Sequence, residues 1–364
     1  MPGNPRSIAM MDAMNPLPVR AMRGIRGTAA ALTAVITVVT GAVSGCSSSD
    51  DAGNPADPAV ITPASAAQSP PVGTAPAGTV HRFTGRSRAV LFDTSTNTVS
   101  VLTEDGRTVT LFTRDNLDAP RHTVALPSPA TAAVGDDHGT LYLATTGGYF
   151  TVNIASGRVD KIDIPGDGAT EFSAITRRPD GRIVLGSTNG SVYTLDAQNR
   201  VAARAKGFAH IDSLAYQGNT VAVLDRAQSS VTTLTQAGDG TAHALRAGEG
   251  ATTMLADDKG RLLVADTRGG ALLVFGLADS LILRQRYPVP GGPYGLTYSP
   301  KLIWVSQTAS NTVIGYDLST GIPEERARFA TVRQPNSLVS DGSTLFVASG
   351  AGDGLQAIDI RNAA

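Results

Sequence analysis

The sequence predicts an all-β fold, a seven-bladed β-propeller that follows a signal peptide and a disordered tether. From Thr79 onward, short β-like runs alternate with Gly, Asn and Asp turns, and no stretch keeps the 3.6-residue period of an amphipathic helix. A unit made of a small-residue strand, a polar turn and an apolar strand recurs about every 41 residues. Repeats of about 40 to 45 residues with four strands each are typical of propeller blades.

One aligned position in the first strand of each copy gives the number of repeats. Its successive spacings are 42, 42, 39, 40, 42 and 42 residues, and it is occupied by Leu91, Ala133, Ile175, Leu214, Met254, Leu296 and Leu338. Seven copies of about 41 residues need about 287 residues, and 79–364 provides 286. The only tryptophan, Trp304, aligns with apolar residues of the second strand, so we expect it to pack between sheets.

The ring is predicted to close through its N-terminal strand. TVHRFTG (79–85) precedes the first copy and resembles the last strands of other copies, such as RVDKIDIP (158–165). The final copy, which ends at GLQAIDI (354–360), lacks such a strand. The N-terminal strand should therefore complete the last blade, which removes the exposed sheet edges.

The N-terminus has the layout of a secretory signal. Four arginines precede an uncharged apolar run, AAALTAVITVVTGAV (29–43), which is too short to span a bilayer comfortably. The run ends in Val43-Ser44-Gly45-Cys46. This sequence resembles the lipobox of bacterial lipoproteins, which implies cleavage after Gly45, a diacylglycerol group on the Cys46 thiol and anchoring of the mature chain through acyl chains. An ordinary signal peptide beside a chance cysteine is the alternative, and the start codon could be Met1, Met14 or Met22.

Residues 46–78 are predicted to form a tether. After Cys46 they are almost all Ser, Ala, Pro, Gly and Asp, without an aromatic residue. Such a segment buries too little surface to offset its conformational entropy, so we expect it to be disordered. The predicted organisation is a signal peptide at 1–45, lipidated Cys46 with its tether at 46–78, and the propeller at 79–364.

Composition and charge exclude several classes of protein. A single cysteine excludes a disulfide framework, and a net charge of −1 argues against a nucleic-acid partner. Removal of residues 1–45, with four Arg and one Asp, leaves 26 basic and 30 acidic residues, so membrane attachment would depend on the lipid at Cys46. The expected location is the outer face of the cell membrane.

The candidate site is one face of the ring. In a propeller, the loops that enter the first strand of a blade and those that leave its second strand meet on one side, around the mouth of the channel. We call this side the loop face. A polar rim with two aromatics is suited to ligand binding, although the same residues could instead hold the blades in register. The candidates are Arg88, Glu171, Phe172, Asp212, Arg226, Arg268, Tyr294, Gln307 and Asn336.

Motifs for catalysis are missing from the sequence. It contains no Gly-x-Ser-x-Gly elbow, phosphate loop, His-Glu-x-x-His or dinucleotide fingerprint, so no catalytic residue and no cofactor are predicted. One enzyme-like alternative remains. Glu171, Asp212 and Asn336 could converge on the axis and hold a calcium ion through oxygen ligands, a set that weakly resembles the six-bladed gluconolactonase-type propellers.

Three stretches carry a resemblance to a known group of proteins. GATTMLADDKGRLLVADTRGG (250–270), LILRQRYPVPGGPYGL (281–296) and WVSQTASNTVIGYDLSTGIP (304–323) are similar to actinobacterial lipoproteins of the mycobacterial LppL type. The blade pattern is shared more broadly with NHL and YVTN-type propellers. The resemblance implies lipidation and a propeller fold, but no activity and no catalytic residue.

The sequence thus favours a membrane-anchored, non-catalytic binding or scaffold propeller of the cell envelope, whose loop face meets a protein, glycan or small ligand. The alternative is a propeller hydrolase or lyase that uses axial acidic residues and a divalent cation.

Overall fold

The computed structural model describes residues 59–277 and 280–363. The predicted signal peptide, Cys46 and the first part of the predicted tether lie outside the described residues. Within the described ranges, no helix has the length and apolar character needed to cross a bilayer.

The all-β prediction is confirmed. In the described part of the chain, 28 strands form seven four-stranded antiparallel sheets, and the helical structure is a single 3₁₀ turn at Thr308–Ser310. The strands, numbered in chain order, are β1 (Thr79–His81), β2 (Ser87–Asp93), β3 (Thr98–Thr103), β4 (Thr108–Thr113), β5 (His122–Ala125), β6 (Ala132–Gly135), β7 (Thr140–Thr145), β8 (Gly148–Asn153), β9 (Val159–Asp163), β10 (Phe172–Arg177), β11 (Ile183–Ser187), β12 (Val192–Leu195), β13 (Val201–Ala205), β14 (Ser213–Gln217), β15 (Thr220–Asp225), β16 (Ser230–Leu234), β17 (Thr241–Arg246), β18 (Ala251–Ala256), β19 (Arg261–Asp266), β20 (Ala271–Gly276), β21 (Ile282–Pro288), β22 (Pro293–Tyr298), β23 (Ile303–Gln307), β24 (Thr312–Asp317), β25 (Glu324–Ala330), β26 (Pro335–Ser340), β27 (Thr344–Ser349) and β28 (Leu355–Asp359).

Each blade uses four consecutive strands, from blade 1 (β2–β5) to blade 6 (β22–β25), and blade 7 is built from β26, β27, β28 and β1. The first strands of successive blades contact one another, and β26 of blade 7 contacts β2 of blade 1, so they form a closed ring. All seven aligned residues of the repeat lie in these first strands. Each faces a residue of the second strand, as Leu214 faces Val223 and Leu338 faces Val347.

The predicted closure of the ring is confirmed. Strand β1 pairs antiparallel with β28, and Thr79 lies opposite Ala357. Behind it, the fully buried amide of Gln356 donates to the carbonyl oxygens of Ala77 (2.7 Å) and Ala330 (2.9 Å) and accepts from the Val332 N–H (3.0 Å). One side chain therefore joins the incoming N-terminal segment to blades 6 and 7.

The core lies between neighbouring blades. Trp304 of blade 6 is fully buried in a cluster that includes Leu338 and Val347 of blade 7, and its ring stacks on Phe329 with centroids 5.9 Å apart. The predicted packing role of Trp304 is thus confirmed. The next interface closes the ring, because Phe346 of blade 7 stacks on Phe92 of blade 1 at 6.2 Å.

Small hydroxyl residues link neighbouring blades within or just before their first strands. The Ser173 hydroxyl donates to the Ile211 carbonyl (2.6 Å), the Thr131 hydroxyl donates to the Phe172 carbonyl (2.6 Å), and the Ser337 hydroxyl accepts from the Val90 N–H (2.8 Å). These bonds satisfy backbone groups near the centre of the ring.

Candidate functional site

A polar cluster forms the loop face of blade 4. The Asp212 carboxylate accepts the Arg226 N–H (2.8 Å) and lies 3.7 Å from the Arg226 guanidinium. The same carboxylate lies 3.3 Å from Nδ1 of His210 and raises the pKa of that imidazole. The structure therefore brings the predicted residues Asp212 and Arg226 together and adds His210, which the sequence did not single out.

Two buried aspartates fix the loops of blades 4 and 5. Asp225 ends β15 and accepts the backbone N–H groups of Ala209 (2.7 Å) and Gln228 (3.0 Å). Asp266 ends β19 and accepts those of Gly250 (2.9 Å) and Gly269 (3.0 Å). Both side chains are fully buried, so their role here is to hold the loops in position.

Two candidate residues belong to the core instead of the open face. Phe172 is fully buried, and its ring meets Tyr193 edge-on at 5.1 Å. Gln307 is 4% exposed, and its amide donates to the Pro290 carbonyl while its oxygen accepts the Thr312 hydroxyl (2.8 Å). Both residues stabilise the blades.

The remaining candidates are spread around the face. Arg88 donates to the carbonyls of Glu104 (3.0 Å) and Thr131 (3.4 Å), which joins blades 1 and 2. Glu171 is exposed at the entry to blade 3, whereas Tyr294 and Asn336 are half-buried at the entries to blades 6 and 7. The Asn336 amide oxygen accepts from the Gln334 amide (3.2 Å).

The second half of the predicted tether lies on this face. The Ile61 N–H donates to the Ala227 carbonyl (2.7 Å) in blade 4, and the Ser69 hydroxyl donates to the Thr308 carbonyl (2.6 Å) in blade 6. Arg268 of blade 5 donates to the Thr62 carbonyl (2.6 Å). The prediction of a disordered tether is therefore wrong for residues 59–78, because loop-face side chains bind the backbone of a segment that buries little apolar surface.

A cavity of about 430 Å³ lies between this segment and blades 7 and 1. Gln68 and Ser69 line one side, and Arg86, Arg333 and Gln334 line the other. Arg333 forms two bonds to the Asp353 carboxylate, at 2.6 and 2.9 Å, which lowers the pKa of Asp353. Arg86 donates to the Gly350 carbonyl (2.7 Å), so both guanidinium groups are already engaged by the ring.

The opposite mouth of the channel holds a second cavity, of about 420 Å³, that the sequence reasoning missed. Tyr216, Tyr298, Met254 and Asp258 are among its lining residues. Burial, followed by the nearby Asp258 carboxylate, raises the pKa of the Tyr298 hydroxyl. The signal was present in the repeat, because Tyr216 and Tyr298 each lie two residues after the aligned position of their blade.

The calcium alternative gains no support from these contacts. Across residues 59–277 and 280–363, no group of three or more His, Cys, Asp or Glu side chains is arranged to hold a metal ion. Asp212 is engaged by Arg226 and Asn336 by Gln334. Neither residue lines the two cavities described above, and nor does Glu171.

Comparison with known proteins supports the fold. No family model and no curated protein matches the sequence. Among solved structures, Kuenenia stuttgartiensis hydrazine synthase superposes with a TM-score of 0.64 at 15% identity, over 77% of this chain and 97% of that one. Virginiamycin B lyase from Staphylococcus aureus superposes with a TM-score of 0.60 at 15% identity, over 75% of this chain and 94% of that one. The β-propeller domain of Myceliophteria thermophila Cps50 (Swd1) superposes with a TM-score of 0.63 at 12% identity, over 78% of this chain and 99% of that one. At these identities the likeness concerns the fold alone.

Proposed function

We propose that this protein is a lipid-anchored, non-catalytic binding propeller of the cell envelope, held on the outer face of the membrane through Cys46 and meeting its partner through the loop face. The anchor is inferred from the order of features in the sequence. A basic segment, a short apolar run and Val43-Ser44-Gly45-Cys46 follow one another, and Cys46 is the only cysteine of the chain. A thioether-linked diacylglycerol with a further acyl chain would exceed the roughly two chains that stable anchoring needs.

The binding role is supported above all by the loop face itself, where ring side chains already bind a polypeptide backbone. Arg226 and Arg268 each donate to a main-chain carbonyl of the segment 59–78. The ring thus offers a rigid scaffold with polar donors on its loops, an arrangement suited to binding. The partner that this design favours is a protein of the envelope.

Site-specific photocrosslinking in the native envelope tests this function. A photoreactive residue at Glu171 or Glu249, both exposed on the loop face, should give a reproducible crosslinked protein. The matched control is Gln236, which is exposed on the turn between β16 and β17 at the opposite side of the ring. A crosslink from Gln236 alone, or from none of the three positions, would contradict a binding role for the loop face.

A further inference from the structure

Residues 61–70 lie across the loop face from blade 4 to blade 7. Ile61 contacts blade 4 through Ala227, and Thr62 contacts blade 5 through Arg268. Ser69 reaches blade 6, where its hydroxyl donates to the Thr308 carbonyl, and blade 7, where that hydroxyl accepts the Gln334 N–H (2.8 Å). Ten residues therefore cover the loops of four neighbouring blades. We call the surface beneath them the segment groove.

The groove binds the main chain of its occupant. The guanidinium groups of Arg268 and Arg226 donate to the carbonyls of Thr62 and Ala64. The Asn311 amide donates to the Pro70 carbonyl (2.9 Å). Since main-chain carbonyls are common to all residues, these donors select a laid-out polypeptide and not one particular sequence.

Two glycines of the groove limit the size of the occupant's side chains. A Cβ atom added at Gly250 would lie 2.8 Å from the Ala64 side chain, and one added at Gly292 would lie 2.9 Å from the Ala67 side chain. The ring backbone thus approaches the occupant closely at both positions. Ala64 is only 6% exposed there, so a long side chain at that point of the occupant cannot be accommodated.

The bound segment is held at its surface and not enclosed. Of residues 59–70, Ala64 alone is buried, and the others are half-buried or exposed. A segment with so few buried apolar contacts belongs to the least stable part of a fold and opens more easily than the blades. A competing chain can therefore replace it, provided that its affinity overcomes the effective concentration of the covalently linked segment.

From these contacts we infer that the segment groove is a binding site for an extended polypeptide of small residues and proline, supplied by a partner protein of the envelope. Residues 61–70 occupy the groove within the chain and mask it until that partner displaces them. This inference rests on the proposed function, because it assigns a class of ligand to the loop face.

A peptide-binding measurement on the full chain tests the inference. The probe is a fluorescent synthetic peptide of residues 59–72, AVITPASAAQSPPV. In the variant Ala64→Arg, the new side chain cannot fit against Gly250, so the segment should leave the groove. We expect this variant to bind the peptide at least about tenfold more tightly than the unaltered chain, because the internal competitor is gone. Ser65→Arg is the matched control, since Ser65 is exposed and its substitution leaves the groove masked.

One further variant of the chain and one altered peptide separate specific from incidental binding. Adding Arg268→Ala to Ala64→Arg should weaken peptide binding at least about tenfold, and a peptide that carries Ala64→Arg should not bind. Trp304 fluorescence confirms that each variant is folded. Equal binding by the Ala64→Arg and Ser65→Arg chains, or binding that survives loss of Arg268, would overturn the inference.

Sedimentation of the unaltered chain distinguishes a partner from a second copy. A dimer that Ala64→Arg converts to a monomer would show that the segment exchanges between copies, and it would overturn the assignment to a partner protein. If the peptide fails to bind while Glu171 and Glu249 still crosslink a protein, the inference fails and the proposed function stands. If both experiments fail, both proposals fall.

Discussion

Gln356 should be one of the most sensitive positions for stability, because its amide closes the ring. In Gln356→Leu, the volume of the side chain is nearly kept, but three hydrogen bonds are lost, to Ala77, Ala330 and Val332. The Ala330 carbonyl keeps the bond from the Ala77 N–H (2.9 Å), whereas the Ala77 carbonyl and the Val332 N–H lose the partner that Gln356 provides.

The size of the effect follows from these bonds. The buried Val332 N–H, left without a partner, costs about 1–3 kcal/mol, and each lost bond to the half-buried Ala77 and Ala330 costs about 0.5–1.5 kcal/mol, which gives about 2–6 kcal/mol in all. We therefore expect the free energy of unfolding to fall by about 3–5 kcal/mol. In a domain of this size the melting temperature should drop by about 10 °C.

Urea unfolding followed by tryptophan fluorescence measures this loss. Trp304 is the only tryptophan and is fully buried between blades 6 and 7, so its emission reports on the region that Gln356 closes. Gln198→Leu on an exposed turn is the control and should change the free energy of unfolding by less than about 0.5 kcal/mol. A loss below about 1 kcal/mol in Gln356→Leu would refute the closure role of this amide.

Two further predictions concern the interfaces between blades. Gly186→Ala should destabilise the protein by about 1–3 kcal/mol in urea unfolding, because the added Cβ would lie 2.2 Å from Cγ2 of Ile211. The double variant Gly186→Ala/Ile211→Ala should lose less free energy of unfolding than the two single variants together, because removing the Ile211 side chain relieves the clash. A loss equal to the sum of the two would contradict the clash. Burial raises the pKa of Asp341, but its bond from Arg114 (2.7 Å) and its backbone bonds outweigh this and hold the pKa below 3.8. This stabilisation is complete above pH 3.8 and is lost as the pH falls through the lowered pKa. At pH 7 the free energy of unfolding of Asp341→Asn should be roughly 2 kcal/mol below that of the unaltered chain, and this difference should shrink in acid. If the free energies of unfolding of the unaltered chain and Asp341→Asn differ by the same amount at pH 7 and pH 3, this prediction is wrong.

The blades could be predicted from the sequence because each blade repeats the same requirements. A small or apolar residue must recur in the crowded first strand, and an apolar second strand must pack against the next sheet, so residues such as Leu214 and Leu338 recur at a regular spacing. The closing strand was predictable for the same reason, since the last copy lacks a fourth strand and TVHRFTG supplies it.

The burial of Phe172 follows from the geometry of its strand. The pairing of β10 with β11 shifts by one residue between Phe172 and Ala174. Such a bulge reverses which side chains face the core, and it places Phe172 beside Tyr193 instead of on the loop face. The repeat held the signal, because the equivalent position, three residues before the aligned residue, is also buried at Ile211 in blade 4 and Ala251 in blade 5.

The order in residues 59–78 was missed for a different reason. Alanine, serine and proline bury little apolar area, and composition therefore predicts disorder. The contacts that hold Thr62, Ala64 and Pro70 in place are made to their carbonyl oxygens. A backbone group is present at every position, so no pattern of side chains marks the stretch that the ring binds.

The anchor at Cys46 is tested most directly by mass spectrometry of the N-terminal peptide of the protein isolated from the native membrane. We predict a peptide that begins at Cys46 and carries a thioether-linked diacylglycerol, and we predict that Cys46→Ala abolishes this mass and releases the protein from the membrane. A mature chain that begins at another residue, or one in which the Cys46 thiol is free, would contradict the assignment of this propeller as a lipid-anchored protein.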